Sequence, residues 1–290
     1  MSYNQLQINI LCIFTDIPLP TPASTSIPVS TDLTQATFKI QPIILASGDI
    51  TDLAVVSPDM LVVSLLRYQC VQLLDSLKGE VVSEVELHTY PWGMCLTDEN
   101  TAAVHISGKI QLIQVKDKTL IKGKELTVSG EICEITSCRN YLVVAYRSQP
   151  WLEVISIDGK VLKQFDNAKS QLFTESCSMC TTPSGSVFLS DWERNTITKL
   201  DAQLNLLQTF TSPLLQRSLG IIAVTEDQIL VCSADNHSIV LLQPSTNTMS
   251  TLLGGVDGIS CPFKLTYCPE KKKFYIATTH YSYIKVYQMS

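Results

Sequence analysis

Six times along the chain a short apolar run gives way to a polar turn and then to a second run opening on a β-branched or large apolar residue. The copies span residues 60–75, 101–116, 141–158, 187–201, 229–243 and 274–288. Taking Leu61, Ala102, Leu142, Phe188, Leu230 and Tyr275 as equivalent, the steps are 41, 40, 46, 42 and 45 residues. A period near 43 residues is that of propeller blades. Another apolar run precedes each copy, as at 53–56, 94–96, 132–135 and 221–224, behind turns such as Ser57-Pro58-Asp59 and Pro183-Ser184-Gly185. Most copies are followed by a more polar run, as at 79–87, 159–165 and 204–210. No long segment carries a helical period, and turn residues recur at roughly 8–12-residue intervals. The pattern predicts an all-β fold, a six-bladed β-propeller of four-stranded antiparallel blades.

The two ends of the repeat array sharpen this expectation. The sixth copy stops at Ser290, just after its third strand, whereas residues 37–46 read as a strand that belongs to no copy. An N-terminal strand that completes the last blade would close the ring. Pro42 is compatible with that role, because an outermost strand has one edge that needs no ladder hydrogen bond. The propeller is therefore expected over residues 36–290. Residues 1–35 carry Pro18, Pro20, Pro22 and Pro28 among serines and threonines, the composition of a disordered linker.

Composition narrows the function classes. Hydrophobic residues make up 45% of the 290, enough for a substantial core. Twenty-one basic residues against 27 acidic ones give a net charge of −6, which argues against a whole-molecule field for nucleic acid. No run approaches the roughly 18 apolar residues of a membrane span. The first basic residue is Lys39, so the positive region of a secretory signal is not expected. The ten cysteines, at 12, 70, 95, 133, 138, 177, 180, 232, 261 and 268, are scattered, and most sit in apolar runs where a thiol packs as a small hydrophobe. Cys177-Ser-Met-Cys180 has redox-like spacing, but on a strand its two cysteines face opposite ways. A reducing, cytoplasmic setting is expected, with no cofactor.

One stretch carries a family resemblance. The segment 185–201, reading Gly185-Ser-Val-Phe-Leu-Ser-Asp191-Trp-Glu-Arg-Asn-Thr-Ile197-Thr-Lys-Leu-Asp201, resembles an NHL repeat. Residues 231–239 are a second, weaker match through Asn236 and Ile239. The other copies keep the apolar frame without the polar signature, and the repeat's basic residue is replaced by Thr196 and Ser238. Residues 36–290 as a whole are similar to the divergent C-terminal propellers of tripartite-motif (TRIM-NHL) proteins of the invertebrate type. The resemblance implies a recognition module for substrate proteins or single-stranded RNA, in a family whose N-terminal RING carries ubiquitin-ligase activity. A RING or B-box needs closely paired cysteine and histidine ligands. Residues 1–35 hold one cysteine, Cys12, and no histidine, so no ligase activity is expected of this chain itself.

In a propeller the loops joining second to third strands share one face with the loops joining blades. That face is expected to collect Arg67, Tyr68, Tyr146, Arg147, Trp192, Arg194, Asn236, His237, His280 and Tyr281, with His88, Tyr90 and Trp92 from inter-blade loops. Tyr, Trp and Arg bury large areas and still satisfy a polar tip, which suits interface hot spots. A protein ligand is the expected partner, with no membrane involvement. Two alternatives stand beside it. Aromatics interleaved with arginine also suit stacking of single-stranded RNA bases. Six-bladed propellers also include metal-dependent lactonases, and Asp52, Glu131 and Glu175, near the starts of three innermost strands, could converge as oxygen ligands for calcium.

Overall fold

The computed structural model describes residues 32–46, 48–138, 140–147, 151–166, 173–174, 177–279 and 282–290. The linker expected over 1–35 lies almost entirely outside these. Where described, its last residues belong to the folded unit: Leu33–Gln35 forms a 3-10 turn capped by Asp32, and Leu33 is buried among apolar side chains of the fifth and sixth blades.

Two short strands, β1 (Phe38–Ile40) and β2 (Ile44–Leu45), precede the repeats. Blade 1 then comprises β3 (Ile50–Ser57), β4 (Met60–Leu65), β5 (Cys70–Asp75) and β6 (Glu80–Glu86). Blade 2 comprises β7 (Pro91–Asp98), β8 (Thr101–Ile106), β9 (Lys109–Lys116) and β10 (Thr119–Thr127). Blade 3 is β11 (Ile132–Cys138), β12 (Tyr141–Tyr146), β13 (Trp151–Ser156) and β14 (Val161–Asp166). Blade 4 is β15 (Cys177–Thr181), β16 (Val187–Asp191), β17 (Thr196–Leu200) and β18 (Leu206–Thr211). Blade 5 is β19 (Ser218–Thr225), β20 (Gln228–Ser233), β21 (Ser238–Gln243) and β22 (Thr248–Leu253). Blade 6 is β23 (Pro262–Cys268), β24 (Lys273–Thr278) and β25 (Tyr283–Met289), completed on its outer edge by β1 and β2. Every pairing between neighbours is antiparallel, and the first strand of each blade touches the first strands of the blades on either side. The six-bladed propeller read from the repeats is the fold.

The middle strands show why a period-2 sequence can still read as an unbroken apolar run. Every residue of β4 is buried. Leu61, Val63 and Leu65 fill the gap between blades 6 and 1, while Met60 and Val62 fill the gap between blades 1 and 2. Successive side chains point to opposite faces of a strand, and in a ring both faces of a blade are covered by neighbours. The described residues accordingly form six apolar clusters, one in each gap.

Closure follows the expected route, with one interruption. Phe38, Lys39 and Ile40 pair with Met289, Gln288 and Tyr287; Ile44 and Leu45 pair with Ile284 and Tyr283. Residues 41–43 between them leave the strand, as a proline without an N–H requires. The ladder is held across the gap by the Gln41 amide, which donates to the Val286 carbonyl at 2.8 Å. Ile44 is buried between blades 6 and 1, so the segment closes the core as well as the sheet.

Candidate functional site: the mouth of the central channel

The innermost strands share a local irregularity. The pairing register slips between Ile50 and Asp52, Pro91 and Met94, Ile132 and Glu134, Ser218 and Ile221, and Pro262 and Lys264. These are β-bulges near the start of five of the six strands, where an extra residue bends the strand and re-aims its side chains. Six equivalent positions then surround the channel: Asp52, Gly93, Glu134, Ser178, Gly220 and Lys264.

Their side chains meet. Lys264 Nζ lies 2.5 Å from Glu134 Oε2 and 3.2 Å from Asp52 Oδ2. Ser178 Oγ donates to Glu134 Oε2 at 3.1 Å. Backbone amides complete both carboxylates: Leu53 and Met94 donate to Asp52 at 2.8 and 3.0 Å, and Ile135 donates to Glu134 at 3.1 Å. Glycine is required at the two remaining positions. A Cβ on Gly93 would run into Glu134 Oε1, and one on Gly220 would lie 2.6 Å from the Phe263 carbonyl oxygen. Burial pushes the Glu134 carboxyl up, against the pull of Lys264. Burial would also depress the Lys264 ammonium, but Asp52 and Glu134 outweigh it and hold it above its ordinary value. The cluster is a buried ion triad with its donors and acceptors matched.

Above this floor opens a cavity of about 220 Å³, lined by Trp92, Arg147 and Trp192, by Cys133, Leu219 and Phe263 on the bulged strands, and by the triad residues Glu134 and Lys264 below. Trp92 and Trp192 remain 45% and 39% exposed. The Arg147 guanidinium carbon sits 5.8 Å from the centre of the Trp92 ring, within reach of a cation–π interaction.

Of the face read from sequence, Trp92, Arg147 and Trp192 thus come together at one mouth. Arg67, Tyr68, Tyr90 and Arg194 do not line it. Tyr68 and Tyr90 are exposed, Arg67 is paired with Asp49 at 2.6 Å, and the Tyr68 ring lies where a side chain on Gly48 would be. One assignment needs correction. Tyr146 is fully buried, and its hydroxyl donates to Glu153 Oε2 at 2.5 Å inside the gap between blades 2 and 3. It shares a strand face with Leu142 and Val144, and that alternation was the available signal. Asn236 donates to the carbonyls of Pro213 and Leu214 at 3.2 and 3.0 Å, and His237 Nδ1 accepts from the Cys261 amide at 3.0 Å. Both hold inter-blade loops in place. His280 and Tyr281 lie outside the described residues.

The NHL-like residues of blade 4 behave the same way. Asp191 Oδ1 accepts from the amides of Glu193 and Arg194, each at 3.0 Å, and Asn195 Oδ1 accepts from the Arg217 amide at 2.6 Å. These side chains shape the turn and fasten it to the next loop.

Of the three carboxylates of the calcium alternative, two are described. Asp52 enters the channel, but Glu131 is exposed at the start of β11, and Glu175 lies outside the described residues. The carboxylate that meets Asp52 is Glu134, three residues further on, because the bulge carries that position inward. A cation held by Asp52 and Glu134 would have to displace Lys264. Among the described residues no group of three His, Cys, Asp or Glu side chains has a metal-binding arrangement. Eight described cysteines are free thiols, Cys180 among them, and burial pushes the Cys180 thiol up; the Cys177 side chain is outside the description.

Among solved structures, the chain is similar to the β-propeller domain of Cps50 (Swd1) from Myceliophteria thermophila. That likeness has a TM-score of 0.61 and 14% identity, and covers 83% of this chain and 83% of that one. It is also similar to a functionally unknown protein from Desulfotomaculum acetoxidans, with a TM-score of 0.57 and 12% identity over 75% of this chain and 72% of that one. At these identities the likeness carries the propeller fold alone. No family model matches the chain, and no curated protein sequence does.

Proposed function

We propose that this chain is a non-catalytic interaction propeller that captures a protein partner at the channel mouth, in the manner of the recognition propellers of TRIM-NHL ubiquitin ligases. The observation that carries the reading is the gathering of Trp92, Arg147 and Trp192 around one cavity, with both indoles still exposed. Exposed tryptophans beside an arginine are costly to leave in water and are the residue types that dominate binding energy at interfaces. A propeller suits this role, since its loops present a broad platform on a rigid ring. The floor of the cavity favours binding over catalysis. Its carboxylates already accept from Lys264 and from backbone amides, which leaves neither as a ready base. Free thiols throughout the described blades fit a reducing compartment.

The test is affinity capture from lysate with three baits: wild type, Trp92→Ala/Trp192→Ala, and Leu206→Ser on the outer strand of blade 4. Loss of the same protein band with the first variant, and its retention with the second, is the expected result. Retention by the double tryptophan variant would overturn the reading.

A further inference from the structure

Arg147 stands apart from the other arginines described near this face. Arg67 pairs with Asp49 at 2.6 Å and Arg217 with Asp235 at 3.6 Å. Arg147 has no carboxylate partner among the described residues, and its Nε is buried with no hydrogen-bond acceptor. The carboxylates beneath it are committed, since Asp52 and Glu134 both face Lys264. Its position is nonetheless held: its backbone amide donates to the Glu131 carbonyl at 2.9 Å, and its guanidinium lies by the Trp92 ring. An arginine held over an aromatic ring and lining a cavity, with no carboxylate opposite it among the described residues, is placed to take one from outside.

From this geometry we infer that the channel mouth takes a carboxylate of a peptide, with Arg147 as its fork and Trp92, Trp192 and Phe263 covering the apolar residues beside it. The inference rests on the protein-docking reading above and adds the chemistry that the docked segment must carry. Guanidinium and carboxylate match in a planar, two-pronged pair stronger than a neutral hydrogen bond. The volume, about 220 Å³, is below that of a pocket for a drug-sized ligand and suits one side chain or chain end. The carboxylate can come from an aspartate or glutamate side chain or from a peptide C-terminus.

Two randomised octapeptide pools separate these sources, one with free C-termini and one amidated, both N-acetylated. Each is passed over immobilised wild type, Arg147→Gln and Trp92→Ala/Trp192→Ala, and the retained peptides are sequenced. Wild type is expected to enrich Asp or Glu at one position flanked by apolar residues in both pools, or to retain only the free-terminus pool if the chain end is the ligand. Arg147→Gln should weaken binding of an enriched peptide about tenfold or more, with an unchanged thermal unfolding curve. Retention of the amidated pool without acidic preference, equal binding by Arg147→Gln, or no retention of either pool would overturn the carboxylate assignment. If partner capture is still lost in the double tryptophan variant, the docking reading survives that failure. Arg147-dependent retention of a single-stranded RNA pool in place of peptides would overturn both.

Discussion

Lys264 Nζ and Glu134 Oε2 lie 2.5 Å apart across the central channel, one from blade 6 and the other from blade 3, opposite each other in a ring of six. Asp52 from blade 1 shares the same ammonium. The triad therefore ties three non-sequential blades together at the axis, where no sheet hydrogen bond reaches.

Removing the lysine should cost more than removing one acid. Lys264→Met leaves two buried carboxylates facing each other, and about 3–5 kcal/mol of unfolding free energy should be lost. Lys264→Met/Glu134→Gln should lose clearly less than the sum of its single substitutions, because the uncompensated charge is then reduced. Urea denaturation of the four proteins measures this. Additive losses would show that the residues are independent.

His105 predicts an acid-sensitive component of stability. Its side chain is buried, and its pKa is held at about 3, below the ordinary 6.5, by burial and by Arg147 and Lys264. Between those two values the unfolded chain binds a proton that the folded chain refuses. The contribution is thus fully present above pH 6.5 and is lost as the pH falls toward 3. By pH 4 the loss should approach about 3 kcal/mol. His105→Gln removes this term, so the gap between the two stability-against-pH curves should change through that window and stay flat above it. Parallel curves from pH 7 to pH 4 would contradict the assignment.

Ring closure can be tested on adjacent residues. Ile44 is 3% exposed and pairs with Ile284, whereas Ile43 is 48% exposed in the interruption after Pro42. Ile44→Asp buries an unpaired charge and should lose about 3 kcal/mol or more. Ile43→Asp should stay within about 0.5 kcal/mol of wild type. Equal losses in urea would mean that the segment does not close the ring as described.

Much of the fold was legible because blade formation is a local matter. A run such as 60–65 and its turn at 66–69 encode a hairpin without reference to distant residues, and the missing fourth strand after β25 pointed to the segment around Lys39. The boundary was less legible. Leu33 sits among Ser, Thr and Asp, and only its packing beneath blades 5 and 6 shows that it belongs to the core. The face was legible in part. Trp92, Arg147 and Trp192 could be assigned to it from their loops and strand starts, but Tyr146 could not be excluded until its strand face was known.

By itself, the sequence determined the repeat, its strand order, the alternation that fills each gap between blades, and the borrowed strand that closes the last one. These depend on residues close together in the chain or on a period that can be counted. Only the tertiary structure decided what stands at the axis. Asp52, Glu134 and Lys264 are up to 212 residues apart in the sequence, and each would be expected on the solvent side of a lone strand. Bulges in the innermost strands turn them inward, and closure of the ring brings them within bonding distance, so their charges offset one another where a single blade would have had to expel them.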